Sequence, residues 1–328
     1  MRVKVTEYEK CYSFNLVPIT QFCGQNVIKK TYILESLRKY FSSYKYGEGK
    51  SKWRDNVRID DAVVGRKFFS VISIQNKSEL VSMIKWSKHS LMTEYMKSMM
   101  QKFEWQMHLR AINEEVEEMI HILNSDINYL GDIELTYAMA DVWDMVQKTE
   151  VEGIDQRPLE DKDAYELLMI FLNLVEKNNE LNPKKTMIIM ENIDHFISKK
   201  EYVKIVNKLQ SMIRNSDVYF ILSTSLEEYV SCNQEIFSGI KIFNDVDFQM
   251  PELEQIVNYL ENNYPRNKVL SKEQVQADFI KIIQKIGKKE NLFTIEENVV
   301  CKLINQSLLI YDKWIEEENS LEIAFLKK

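Results

Sequence analysis

Glycine and proline are scarce in this 328-residue chain, which holds 8 Gly and 5 Pro. So few turn-forming residues exclude a turn-dense all-β protein and favour long helices. Cysteine is also scarce: Cys11, Cys23, Cys232 and Cys301 are scattered without metal-ligand spacing. His89, His108, His121 and His195 form no zinc pattern, and His195 reads as part of a polar strand end beside Asp194. No apolar run approaches the ~20 residues that span a bilayer. The start of the chain, Met1 to Glu7, alternates like a strand rather than a signal peptide. Together these absences point to a reducing, cytoplasmic setting.

The composition that remains is globular, 45% hydrophobic and 28% charged, and the length suits two domains or one core with large insertions. The net charge of −7 hides an asymmetry. Residues 1–110 hold 20 Lys and Arg against 10 Asp and Glu, whereas residues 111–328 hold 23 against 40. A bipolar chain of this kind implies a localised basic surface on an acidic molecule. The densest basic stretch carries Lys45, Lys50, Lys52, Arg54 and Arg58, interleaved with Tyr44, Tyr46 and Trp53. It reads either as a solvated loop or as a contact surface for a phosphate backbone, where cations gain affinity by releasing counterions.

The most specific stretch is Gly24 to Thr31, which is one residue away from a phosphate-binding P-loop. Gly24, Lys30 and Thr31 stand at the required spacing, but Lys29 replaces the second glycine. Such loops wrap phosphates with backbone N–H groups, and their glycines permit close approach. Lys29 puts a Cβ and a long cationic chain at that position. An apolar run over residues 14–22 reads as the preceding strand, and residues 30–41 carry Ile33, Leu34, Leu37, Tyr40 and Phe41 at helical spacing. The plainer alternative is a strand–turn–helix connection with a chance Lys-Thr. A second apolar strand, residues 186–190, ends in Glu191, with Asp194 close behind. Walker B strands end this way, with an acid for the metal and often a following Glu that orients water. Here Glu191 takes the metal position and Asn192, which cannot act as a base, follows it. A helix over 199–213 and a strand over 218–224 complete the order of a P-loop ATPase core. Both chemical elements are present and both are altered.

The expected fold class is therefore α/β: a degenerate P-loop NTPase-like core carrying helical appendages. Residues 1–76 form its first part, 77–180 a helical insertion, 181–250 its second part, and 251–328 a helical extension. Within the insertion, apolar stripes run from Leu80 to Trp105 and from Met107 to Leu123, and a further helix is expected from Glu134 to Val146. Strands are expected at 68–74 and 240–248, and extension helices at 252–262, 272–286 and 295–317.

Taken together, the altered loop from Gly24 to Thr31, the insertion over 77–180, the strands at 187–190 and 218–224, and the extension after Pro251 resemble the Csn-two proteins. These are the accessory spacer-acquisition factors of type II-A CRISPR loci, and the likeness is to their large subgroup. It is one of layout and covers most of the chain; no single motif is diagnostic. The resemblance implies a head-and-leg subunit, a homotetrameric ring with a basic hole, and sequence-independent binding of double-stranded DNA ends. It also implies calcium, no productive ATP hydrolysis, and partnership with the spacer integrase and effector nuclease of the locus. For that calcium, the acids that cluster best are Glu114 and Glu118, which share a helical face, with Asp126 further on; an ordinary solvated acidic face is the alternative. Two other readings stay open: an active or weakly active ATPase of the AAA or ABC type, since Lys30 and Thr31 survive, and a pure protein scaffold.

Overall fold

The computed structural model describes residues 1–42, 56–127, 133–139, 149–214, 216–264, 271–288 and 295–308. The alternating start of the chain folds as β1 (Arg2–Glu7) and returns antiparallel as β2 (Lys10–Asn15). Val3, Val5 and Phe14 face inward and are buried, and Arg2 and Lys4 take the opposite face, as a period of two requires. The run over 14–22, expected as one strand, is two. Pro18 lacks the N–H that a ladder needs, and the Thr20 hydroxyl closes a turn on Val17, accepting from its N–H and donating to its carbonyl at 3.1 Å each.

The second piece, β3 (Ile19–Cys23), enters a different sheet and is buried at every position, the pattern of a strand covered on both faces. Then comes α1 (Val27–Tyr40), whose start is capped by Asn26: its side chain accepts the Lys29 N–H at 3.1 Å. Ile33, Leu34, Leu37 and Tyr40 form its buried stripe. β4 (Val57–Ile59) pairs with the free side of β1, giving a small antiparallel sheet in the order β2-β1-β4.

β5 (Ser70–Ile74), β6 (Thr186–Met190), β7 (Val218–Ser223) and β8 (Ile240–Phe243) join β3 in a parallel sheet ordered β5-β6-β7-β3-β8. The run over 240–248 is not one strand either. It turns after Phe243 and returns antiparallel as β9 (Asp247–Gln249) at the sheet edge. One face of the parallel sheet shares a core with α1 and the small sheet, through Phe14, Phe22, Ile33, Leu37, Met187, Ile221 and Phe243. Phe22 sits edge-on between Phe14 and Phe243, with both centroid distances 4.9 Å.

The chain divides into two compact units, one of Met1–Gln75, Lys185–Arg214 and Val218–Lys328, the other built on Asn76–Lys184. The regular elements among the second unit's described residues are helices: α2 (Lys77–Ile84), α3 (Leu91–Met100), α4 (Phe103–Ile127) and α5 (Ala164–Leu181). Side chains of Asn76, Ser90 and Asp163 cap the starts of α2, α3 and α5. α2 and α3 pack on the buried stripe of α5, and the Asn178 amide donates to the Leu91 carbonyl at 3.0 Å. The helix expected from Glu134 is absent as far as residue 139. Asn124 of α4 instead binds both backbone groups of Leu135, and the Tyr137 hydroxyl donates to Asn113 at 2.7 Å. The rest of that expected helix lies outside the described residues.

In the first unit α6 (Lys199–Met212) begins with a reciprocal cap between Ser198 and Glu201 and buries Tyr202, Ile205, Val206 and Leu209. α7 (Leu253–Asn263), α8 (Lys272–Ile282) and α9 (Ile295–Ser307) build a second core with Ile240 and Ile242 on the other face of the sheet. α8 runs into a 3₁₀ turn, Ile283–Lys285, so the helix expected to residue 286 stops short. Among the described residues no helix is long and apolar enough to cross a membrane.

Candidate functional site

The carboxyl ends of parallel strands are where α/β folds place ligands, and the altered loop lies there, between β3 and α1. Gly24 stands at φ +96°, and a Cβ on it would meet the Phe243 carbonyl oxygen at 2.3 Å, so glycine is required for backbone reasons alone. Three amides at the start of the loop are already engaged. Gly24 N–H donates to Gln284 Oε1, Gln25 N–H to Asn244 Oδ1 at 2.7 Å, and Asn26 N–H to the Phe243 carbonyl at 2.9 Å. Asn244 is in turn fixed by its own amide, which donates to the carbonyls of Gln284 (3.0 Å) and Ile286 (2.6 Å). Gln284 is fully buried, and its amide donates to Thr224 Oγ1 at 3.3 Å. A neutral carboxamide from the turn after α8 thus occupies the amide that an anion would need.

Lys30 is equally committed. Its ammonium donates to the carbonyls of Gly24 (2.7 Å) and Thr224 (2.6 Å) and to Ser225 Oγ (2.8 Å), with the residue only 1% exposed. Burial pushes its pKa down to about 8 from the usual 10.5, against the opposing pull of the Cys23, Asp194 and Glu191 charges. Lys29, at the position of the lost glycine, points to the β8–β9 hairpin and pairs with Asp247 at 2.8 Å. Thr31 Oγ1 donates to Glu191 Oε1 at 3.0 Å, and Gln75 donates to the other carboxylate oxygen at 2.8 Å. The hydroxyl and the acid that share a magnesium ion in an active site of this type are bonded directly to each other. Asn192 adopts the left-handed conformation at φ 56°. Asp194 accepts the Ser225 and Leu226 N–H groups on Oδ2 at 2.6 and 2.7 Å, while its buried Oδ1 has no partner among the described residues.

The structure therefore gathers Gly24, Lys30, Thr31, Glu191 and Asp194 at one strand end, with Lys29 turned aside. Sequence reasoning missed Gln284, Asn244 and Ser225. They carry no motif, and Gln284 lies 260 positions from Gly24. Of the basic stretch, Arg58 is exposed on β4; Lys45, Lys50, Lys52 and Arg54 lie outside the described residues. Glu114, Glu118 and Asp126 are exposed on α4, and Glu114 pairs with Arg110 at 2.7 Å. Among the described residues no three His, Cys, Asp or Glu side chains stand together in metal-holding positions.

A family model described as CRISPR-associated protein Csn2 subfamily St matches residues 5–315. A crystal structure of Stu0660 of Streptococcus thermophilus superposes with a TM-score of 0.86 at 22% identity, covering 100% of this chain and 99% of that one. At that identity the likeness shows the fold. No curated protein matches.

Proposed function

The chain belongs to the CRISPR-associated Csn2 proteins, subfamily St, and on that premise we propose that it is a non-catalytic, ring-forming protein that binds double-stranded DNA ends in spacer acquisition, without reading their sequence. The observation that carries this is the family match across nearly the whole chain; the geometry adds three supports. First, the strand order and the altered loop fit a P-loop-like core whose cradle is closed by its own chain. With the Gly24, Gln25 and Asn26 amides and Lys30 engaged and Thr31 bound to Glu191, most of the groups on which the positioning and electrostatics of phosphoryl transfer depend are committed within the chain. Nothing in the loop favours the ATPase alternative. Second, the excess of cations falls in residues 1–110, and phosphate contacts carry no base information. Third, α4 repeats Trp105, Leu109, Ile112, Val116, Met119 and Leu123 at alternating spacings of four and three, and Trp105, Ile112, Met119 and Leu123 are exposed. That periodicity suits packing against another helix, as subunit contacts in a homotetramer require. Calcium belongs to the reading through the family resemblance. In it the ion is held between subunits or by residues outside those described.

Light scattering after size exclusion tests the reading, run with linear duplex, with a covalently closed circle of equal sequence, and with calcium or chelator. A tetramer that retains linear duplex and releases the circle is expected. A monomer, or equal retention of both forms, overturns it. Phosphate release from Mg-ATP in the same samples is expected at background. Turnover abolished by Lys30→Ala would restore the ATPase reading.

A further inference from the structure

The outward face of the β2-β1-β4 sheet carries Arg2 and Lys4 on β1 and Arg58 on β4. Lys4 lies directly opposite Arg58 in the ladder. Like charges opposed across strands destabilise a sheet; the Asp61 charge, held down in pKa by Lys4 first and by Arg2 and Arg58 as well, offsets part of that cost. Lys4 is bound by Asp61, itself 65% exposed at the side chain. The guanidinium groups of Arg2 and Arg58 have no hydrogen-bond or ion-pair partner among the described residues. The Asp60 carboxylate accepts the Arg2 backbone N–H at 2.6 Å and makes no bond to the guanidinium. The remaining positions of the face, Thr6, Cys11, Ser13 and Asn15, are neutral and small or medium in size, leaving the cations unobstructed.

From this juxtaposition we propose that the outward face of the β2-β1-β4 sheet is a contact surface for the phosphate backbone of duplex DNA, with Arg2 and Arg58 as its principal contacts and Lys4 between them. The inference rests on the DNA-binding reading above and assigns that reading a surface. Arg2 and Lys4 are two positions apart, about 6.8 Å along the strand, and Arg58 is about 4.8 Å to the side. A cluster of that size meets several phosphates of one backbone, and a guanidinium fork matches phosphate oxygens bidentately. Sequence adds continuity: the stretch that holds Lys45, Lys50, Lys52 and Arg54 leads directly into β4. Lys241, buried on β8 and 5.7 Å from the centroid of the Phe243 ring, is within electrostatic reach of Arg2. A rigid sheet also presents these charges with less ordering cost than a loop.

The test compares the full chain with Arg2→Gln/Arg58→Gln, binding a labelled linear duplex across a salt titration. An equal-charge control, Lys177→Gln/Lys272→Gln, and a charge-preserving variant, Arg2→Lys/Arg58→Lys, complete the set. The glutamine pair should weaken binding roughly tenfold at moderate salt and flatten the log–log salt slope by about 1.8, since each phosphate contact contributes about 0.9. Its melting temperature should hold or rise, because a like-charge opposition is removed. The control should bind as wild type, and the lysine pair should recover most of the salt slope. Wild-type binding with an unchanged slope in the glutamine pair overturns the surface and leaves the DNA reading standing. Absence of binding by wild type overturns the DNA reading, and this surface with it. A glutamine pair that changes the oligomer mass while keeping its duplex affinity would assign the face to a second copy of the chain, against the proposal.

Discussion

Lys30, in the first turn of the helix after β3, gives its ammonium to two carbonyls and a hydroxyl. On the outward face of the small sheet, Arg2, Lys4 and Arg58 stand among two acidic side chains, Asp61, which binds Lys4, and Asp60, which accepts the Arg2 backbone N–H. The loop looks like a phosphate site in sequence and has spent its donors on its own chain. The sheet face has no motif, and its two guanidinium groups have no hydrogen-bond or ion-pair partner among the described residues. Whether a cation can bind an anion depends on what else it already touches, and this cannot be read from residue type or spacing. Lys29 makes the same point within the loop, since Asp247 draws it away from the position where its sequence placed it.

The sharpest break of this contrast is Lys30→Met, which keeps most of the unbranched stem and removes its donors. If Lys30 is a structural tie, the variant leaves the Gly24 and Thr224 carbonyls without their donor and should lose about 3 kcal/mol of stability in urea unfolding. An unchanged midpoint would mean that the lysine is held for a ligand instead. The pH dependence gives a second reading of the same residue. Its pKa is depressed to about 8 in the fold and returns near 10.5 in the unfolded chain. Between those values the unfolded chain binds more protons, so stability from this group increases as pH rises through the window. Below pH 8 both states carry the charge and its burial penalty is in full force. The wild type should gain stability relative to Lys30→Met between pH 8 and 10.5, and parallel profiles would refute the assignment.

Gln284→Ala should have a smaller effect. It withdraws the acceptor of the Gly24 N–H and the donor to Thr224, at a cost of about 2 kcal/mol. The expected result is a lower melting temperature with duplex affinity and slope unchanged, because the loop and the sheet face are separate surfaces in this account. Loss of duplex affinity at constant stability would merge the two regions that the comparison keeps apart.

Much of the parallel sheet was legible in the sequence because burial on both faces writes itself as unbroken apolar runs: β6 and β7 begin where expected and end within a residue of expectation. Helical periodicity likewise located α1, α6 and α7 to within a few residues at each end. Two strands were merged with their neighbours. Val17-Pro18 is embedded in apolar sequence, so hydrophobicity continues across a break made by a missing N–H and a side-chain hydrogen bond; the second break, Asn244-Asp245, is polar, and its signal is the pair of turn residues. The loop residues were visible as a motif, but their engagement was not. Gln284 and Asn244 act through contacts 260 and 219 positions away, which leave no local period. The basic face was half visible, as charge excess without a location. Only the register that sets Lys4 against Arg58 shows the cations converging.

The mildest test concerns Lys241, which sharpens the contrast because it shares most of Lys30's circumstances. Both are lysines of the parallel-sheet unit, and both are at least nine-tenths buried. Burial lowers the pKa of Lys241 as well, and the Lys29 and Arg2 charges add to that while Asp247 opposes it. The difference is in partners: Lys30 has three hydrogen-bond acceptors, whereas Lys241 has the face of Phe243. A cation over an aromatic ring gains about 1–2 kcal/mol when desolvated, while taking an ammonium out of water costs several. Lys241→Met fills nearly the same volume without the charge, so it should be neutral or stabilising by about 1 kcal/mol, opposite in sign to Lys30→Met. It should also weaken duplex binding by roughly twofold, as expected of a screened charge near Arg2 that makes no contact of its own. A loss of several kcal/mol in Lys241→Met would show that its ammonium is structurally paired after all. The two lysines would then be alike, and exposure alone, not the lack of partners, would distinguish the sheet face from the loop.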